Sequence, residues 1–217
     1  MGAALSLQAL VASDWQVRPE PELLPTGIPG IELPRGCMTE VIGQRSSGRA
    51  TLMMRILAAA TSRGEICALV DAEDAFDPAS AAAAGVDLAR VLWVRCGNGG
   101  QVGAEHALKA ADLLIQGGGL GVVVMDLGET PPHTARRISL TSWFRLRRAV
   151  EHTPAVLVVV AQQSNAKTCA SLVLECRRER ARWSGAAPGR LMRGFEVRAT
   201  ASQRSRACSH VFTARAI

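Results

Sequence analysis

The sequence predicts an α/β protein: a mostly parallel sheet flanked by helices, with an antiparallel hairpin at its C-terminal end. Three patterns predict it. Unbroken apolar runs at 66–70, 122–125 and 155–161 read as strands buried on both faces, the form strands take in a parallel sheet covered by helices. Between them lie stretches with apolar residues at helical spacing, as crossover connections require. The tail at 195–200 and 208–213 instead alternates apolar and polar residues, as the strands of a hairpin do.

Taken in order, residues 5–11 read as a short amphipathic helix and 14–25 as a Pro-rich linker. The chain thus divides into an N-terminal segment, 1–25, and one core domain, 26–217. A strand at 38–42 leads through a glycine-bounded loop into a helix at 51–63, with Leu52, Met53, Ile56, Leu57 and Ala60 on one face and Gly64 at its end. The strand at 66–70 runs into Asp71-Ala72-Glu73-Asp74, and an Ala-rich helix follows at 79–84. A third strand at 91–94 precedes a Gly-rich loop at 97–103 and a helix at 104–116. The strand at 121–126 closes on Asp126. One long amphipathic helix spans 134–151 and turns Ile138, Leu140, Trp143, Leu146 and Val150 towards the core. A fifth strand, 155–161, ends at Gln162. A short sixth strand covers 172–174, and the hairpin turns at 203–206.

The loop Gly43-Gln44-Arg45-Ser46-Ser47-Gly48-Arg49-Ala50-Thr51 has the strand–loop–helix setting of a phosphate-binding P-loop, whose pattern is G-x-x-x-x-G-K-[ST]. Both glycines are in register. Arg49 stands where the pattern has Lys, and its planar fork is larger than an ammonium and cannot follow the same path. Ala50 stands where a hydroxyl would meet Mg²⁺, and Thr51, one residue late, projects roughly 100° away. Without the metal, phosphoryl transfer loses its main charge clamp. The expectation is ATP or ADP bound weakly or not at all, with little or no hydrolysis. Two readings stay open for the loop itself: an anion nest at a helix N-terminus, or a tight turn between strand and helix.

In an open α/β sheet, ligands bind beyond the C-terminal ends of the strands. Glu73, Asp126 and Gln162 fall there together with the loop. Their types suit polarising a water, holding a metal or its water, and sensing a terminal phosphate. The four histidines do not cluster. No metal site is expected: the six cysteines are scattered, without a C-x-x-C, and read as buried reduced thiols of a cytoplasmic protein. No apolar run approaches the roughly 20 residues that a membrane-spanning helix needs.

Charge is uneven. Residues 1–135 carry 9 basic and 15 acidic side chains; residues 136–217 carry 16 and 4. The C-terminal part therefore suits an acidic partner, nucleic acid or an acidic protein surface, with Arg177, Arg178, Arg180, Arg182, Arg204 and Arg206 as its candidate contacts. The absence of Tyr and the low aromatic content argue against binding through a stacking platform.

From Pro25 to Gln162 the chain resembles the RecA recombinase family. The resemblance lies in Thr26-Gly27-Ile28, in residues 35–43, in Ser46-Ser47-Gly48, in Leu69-Val70-Asp71-Ala72-Glu73, in Phe76-Asp77-Pro78 and in Ala84-Gly85-Val86-Asp87. It implies a RecA-like P-loop NTPase core, with Glu73 matching the family's catalytic glutamate, Asp126 its Walker B aspartate and Gln162 its switch glutamine. The chain departs from that family at Arg49 and Ala50 and in the two segments matching the DNA-binding loops, which shrink to 127–133 and 163–170. In these losses, and in residues 135–140 and 170–175, it is similar to the ImuA-type proteins, RecA-like members often described as SulA-like.

That resemblance implies a non-recombinogenic accessory of the SOS response to DNA damage. Such a protein acts in mutagenic translesion synthesis by binding RecA or translesion polymerase subunits, and DNA through the Arg-rich tail. A weak DNA-dependent ATPase with an atypical P-loop, in which Glu73 still works, is the alternative from a different class. A RecA-fold regulator of RecA filaments or cell division is a third reading. Self-association through residues 5–11 would fit it.

Overall fold

The computed structural model describes residues 22–97, 99–186, 188–203 and 206–215. The expected helix at 5–11 lies outside them. Where the linker was expected to end, Leu23–Pro25 is instead a strand, β1, paired antiparallel with β2 (Glu32–Pro34). Leu24 and Leu33 are the reason: both are fully buried. The Thr26 hydroxyl closes the intervening turn by donating to the Ile31 carbonyl at 2.8 Å.

The remaining strands form one eight-stranded sheet. In chain order they are β3 (Cys37–Ile42), β4 (Cys67–Asp71), β5 (Val91–Arg95), β6 (Val122–Asp126), β7 (Val156–Ala161), β8 (Leu172–Ser184), β9 (Leu191–Gln203) and β10 (Arg206–Arg215). Across the sheet the order is β10-β9-β8-β3-β7-β6-β4-β5. The pairs from β8 to β5 are parallel, and β8, β9 and β10 pair antiparallel. Every residue of β4 and β7 is buried, as the unbroken apolar runs require.

Helix α1 (Arg49–Ser62) packs on one face, where Leu52, Ile56 and Leu57 meet Val41, Leu69, Val124 and Val158. Helix α2 (Pro78–Ala83) starts at Asp77, whose carboxylate accepts from the Ala79 and Ser80 N–H groups, an N-cap with Pro at the first helical position. The other face carries α3 (Gly100–Gly117) and α5 (Leu140–Val150), whose Ala107, Ala111, Trp143 and Leu146 meet Val70, Met125 and Leu157. Among the described residues, no helix is long and apolar enough to cross a membrane.

Four expectations are corrected here. The long helix at 134–151 is broken into α4 (Pro132–Ala135) and α5. Ser139 starts the second piece, its hydroxyl accepting from the Ser142 N–H at 3.1 Å, and a serine placed so favours a new N-terminus over a continued helix. Leu140 consequently faces solvent. Helix α3 begins inside the glycine-rich loop, at Gly100. The sixth strand does not stop at Leu174 but continues through the arginine cluster to Ser184, because β9 pairs with it along its length. Burial of the thiols holds for Cys67, Cys169 and Cys176, whereas Cys37 and Cys96 are half-buried and Cys208 is exposed.

Candidate functional site

The four strands β3, β7, β6 and β4 are adjacent and parallel, so their C-terminal ends open on one rim. That rim gathers the loop after β3, Gln162 after β7, Asp126 at the end of β6 and Glu73 after β4. The sequence-based grouping of these residues is therefore a spatial one.

The loop turns through two left-handed positions. Ser46 adopts a positive φ of 59°, and Gly48, the N-cap of α1, sits at φ 94°. A side chain at Gly48 would also collide with Val197 of β9. At Gly43, a Cβ would lie 2.6 Å from the Cys176 carbonyl oxygen of β8. Both glycines thus serve close packing against the C-terminal strands as well as the turn.

Arg49 is 6% exposed and folds back into the loop. Its Nη1 donates to the Gly43 carbonyl at 2.6 Å, and its Nη2 donates to the Gly128 carbonyl at 2.6 Å and to Glu129 Oε1 at 2.7 Å. Arg45 reaches the other Glu129 oxygen, Nε to Oε2 at 2.9 Å. The guanidinium is thus pinned across the mouth of the loop, joining it to the segment after β6. A fork with several fixed donors suits this bridging in a way that a single ammonium does not.

Each of the three strand-end groups is engaged within the protein. Glu73 Oε1 accepts from the Gly100 N–H at 2.9 Å and from the Thr130 hydroxyl at 2.9 Å. A carboxylate at the N-terminus of α3 is favourably placed against the helix dipole. Gln162 Nε2 lies 3.4 Å from the Thr130 carbonyl, a long contact. Asp126 Oδ1 accepts from the Gly128 N–H at 2.7 Å. Burial pushes the Asp126 carboxyl up to about 6; neighbouring Asp71 adds to the rise, while the Gly128 hydrogen bond and Arg49 oppose it. Asp71 is in register beside Asp126. It is itself spent on structure, accepting from the Ala75 and Phe76 N–H groups at 3.1 and 2.9 Å.

This donor set does not fit a magnesium nucleotide. The space a P-loop lysine would share with phosphate holds the Arg49 guanidinium, Ala50 has no oxygen for a metal, and Glu73 is turned to Thr130 and α3. Among the described residues, no group of three or more His, Cys, Asp or Glu is arranged to hold a metal ion.

Beside the loop, towards β8, lies an open cavity of about 580 Å³. Gln44, Arg45, Ser47, Gln163, Arg177 and Arg178 are among the residues that line it. The arginines of the tail are not equivalent. Arg177 pairs with Glu175 at 2.7 Å and Arg182 with Glu196 at 2.7 Å, whereas Arg180 acts on Glu179 only through its charge, without a salt bridge. Arg204 and the side chain of Arg206 lie outside what the structure describes. Sequence reasoning missed Glu129, Thr130 and Asp71. A usable signal existed for the first: an arginine forced into a buried loop requires a carboxylate nearby, and Glu129 is an acid in the short segment after β6.

A mostly parallel sheet flanked by helices, with a glycine-bounded turn between β3 and α1 and polar groups on the adjoining strand ends, defines an α/β domain of the RecA-like class. Within it, the family model of the RecA N-terminal domain matches residues 23–131, and the chain belongs to the RecA family. It is 39% identical over 118 residues to the protein RecA of Kineococcus radiotolerans, an alignment covering 51% of this chain and 32% of that protein. To the protein RecA of Mesorhizobium japonicum it is 31% identical over 178 residues, covering 72% and 47%. To that of Bifidobacterium breve it is 38% identical over 112 residues, covering 48% and 27%. The chain thus spans less than half the length of each of these relatives.

Proposed function

We propose that this RecA-family chain does not hydrolyse nucleotide but works by binding. In this reading it is a cytoplasmic, ImuA-type accessory of the SOS response that joins RecA or translesion polymerase subunits, and DNA, during mutagenic repair synthesis. One observation carries the reading: the buried Arg49 guanidinium, held by Gly43, Gly128 and Glu129, occupies the loop that would otherwise receive phosphates. The shortness of the segments 127–133 and 163–170 and the basic C-terminal part support it.

Calorimetry with ATP, with and without Mg²⁺, tests the proposal on the wild type and on Arg49→Lys/Ala50→Thr. The expected result is no heat of binding for the wild type and Mg²⁺-dependent binding for the double variant, in which a compact ammonium and a hydroxyl are restored. Mg²⁺-dependent binding by the wild type would overturn it. The retention of Glu73, Asp126 and Gln162 on one rim favours the alternative of a weak ATPase. Under that alternative Glu73→Gln abolishes turnover, and an unchanged rate excludes it.

A further inference from the structure

At the N-terminal ends of β3 and β7, opposite the rim that holds the loop, two open cavities of about 530 and 490 Å³ share Arg147, Glu151 and His152 and so form one groove. Cys37 and Met38 line one part of it, and Phe144 of α5 lines the other. Phe144 is 45% exposed, and Leu140, one turn earlier on α5, is 44% exposed. Residues so spaced on a helix are neighbours on its surface. Glu22, the first described residue, lines the groove as well. It is fixed there: its carbonyl accepts from the Arg35 N–H at 2.8 Å, and its carboxylate lies 3.4 Å from Arg35 Nε. The residues before it therefore set out from the border of the groove.

We propose that residues 5–11 dock in this groove of their own chain, laying Leu7, Leu10 and Val11 against Leu140 and Phe144 and closing the groove over Cys37. Three observations carry it. Leu7, Leu10 and Val11 recur at helical spacing, and a helix this short is not stable alone in water. It forms only where an apolar surface receives it, and the exposed pair on α5 is such a surface. The second observation is reach. Residues 12–21 span at most about 35 Å when extended, enough to cross the groove from Glu22. A tether of this length holds the segment at an effective concentration of about a millimolar, which favours it over the same segment of another copy. The third is charge. Asp14 and Glu20 outnumber Arg18 in the tether, and on the α5 side of the groove Arg147 and Arg148 outnumber Glu151. The groove lies at the other end of the strands from Arg49, so this contact stands independently of the nucleotide reading.

The rate at which iodoacetamide alkylates Cys37 in the full chain, followed by peptide mass mapping, tests it. Cys37 is half-buried and lines the groove, Cys208 is exposed and Cys67 is buried. The three thiols therefore report the groove, the open surface and unfolding. Leu7→Glu/Leu10→Glu should release the segment and speed alkylation of Cys37 roughly fivefold or more, with Cys208 and Cys67 unchanged. Phe144→Asp should do the same from the side of the groove. Combining it with the first pair should add nothing, because one contact cannot be lost twice. Equal Cys37 rates in the wild type and Leu7→Glu/Leu10→Glu would overturn the docking, as would a rise that Cys67 shares. Effects of the two changes that multiply would place the segment elsewhere. A Cys37 rate that falls as the wild-type concentration rises would replace the chain's own segment by that of a second copy.

Discussion

At the scale of single residues, Arg49 and Asp126 are the two groups of the rim on which stability most directly bears. The sequence shows that Arg49 breaks the P-loop pattern, but not what an arginine does there. Its conformation depends on Gly128 and Glu129, 79 and 80 residues away in sequence. Removing it strands two buried carbonyls and half of a partly buried ion pair. Arg49→Ala is expected to destabilise the protein by roughly 2–4 kcal/mol, read as a lowered urea midpoint with unchanged m-value. Asp126 shows the opposite sign. Its folded-state pKa of about 6 lies above the ordinary carboxylate value, so the native state binds the extra proton, and stability falls as pH rises through that window. Asp126→Asn keeps an acceptor for the Gly128 N–H without the buried charge. It should stabilise the protein by about 1–3 kcal/mol at pH 7.5, the gain shrinking towards zero as pH falls to about 4. Urea unfolding at both pH values checks this, and a gain independent of pH would contradict the burial of a charged Asp126.

At the scale of elements, legibility followed locality. Strands β3, β4, β6 and β7 were readable because each is an apolar run buried on both faces, a property that each segment carries alone. The break between α4 and α5 was missed because the apolar spacing continues across Ser139; the capping preference of one hydroxyl overrode it. The length of β8 was missed because its outer half is polar, and strand geometry there is imposed by β9. Likewise, nothing local shows that the tail folds back onto the loop, which is the contact between Gly48 and Val197. That contact makes a prediction about two elements at once. Gly48→Ala introduces a side chain at φ 94° and against Val197, and should cost about 2–3 kcal/mol. Val197→Ala opens the space but leaves the backbone strain. The double variant should therefore be less destabilised than the sum of the singles by about 1 kcal/mol, measured as a double-mutant cycle of unfolding free energies. Strict additivity would mean that β9 does not bear on the loop.

At the scale of the whole molecule, the charge asymmetry of the sequence becomes an asymmetry across the sheet. Strands β8 to β10, with the arginine-rich ribbon of β8 and β9, form one edge. At the opposite edge, β4 and β5, Asp74 and Asp87 are paired with Arg95 and Arg90. The sequence showed the imbalance, but only the strand order, with the last three strands added beside β3, places the arginines of β8 and β9 along one edge. A molecule so polarised meets a charged surface by its edge, not by its average. With a formal net charge of +6 it should be held by a cation exchanger, and the ribbon should govern its retention. Arg178→Glu/Arg180→Glu and Arg55→Glu/Arg148→Glu change the net charge equally. Fields decay over a Debye length of about 10 Å at 0.1 M salt, so charges at the contacting edge count and remote ones are screened. The ribbon pair should therefore elute at clearly lower salt than the control pair. Coincident elution would show that the ribbon arginines are no more exposed to a polyanionic surface than the rest, and would remove the electrostatic basis for assigning the acidic partner to that edge.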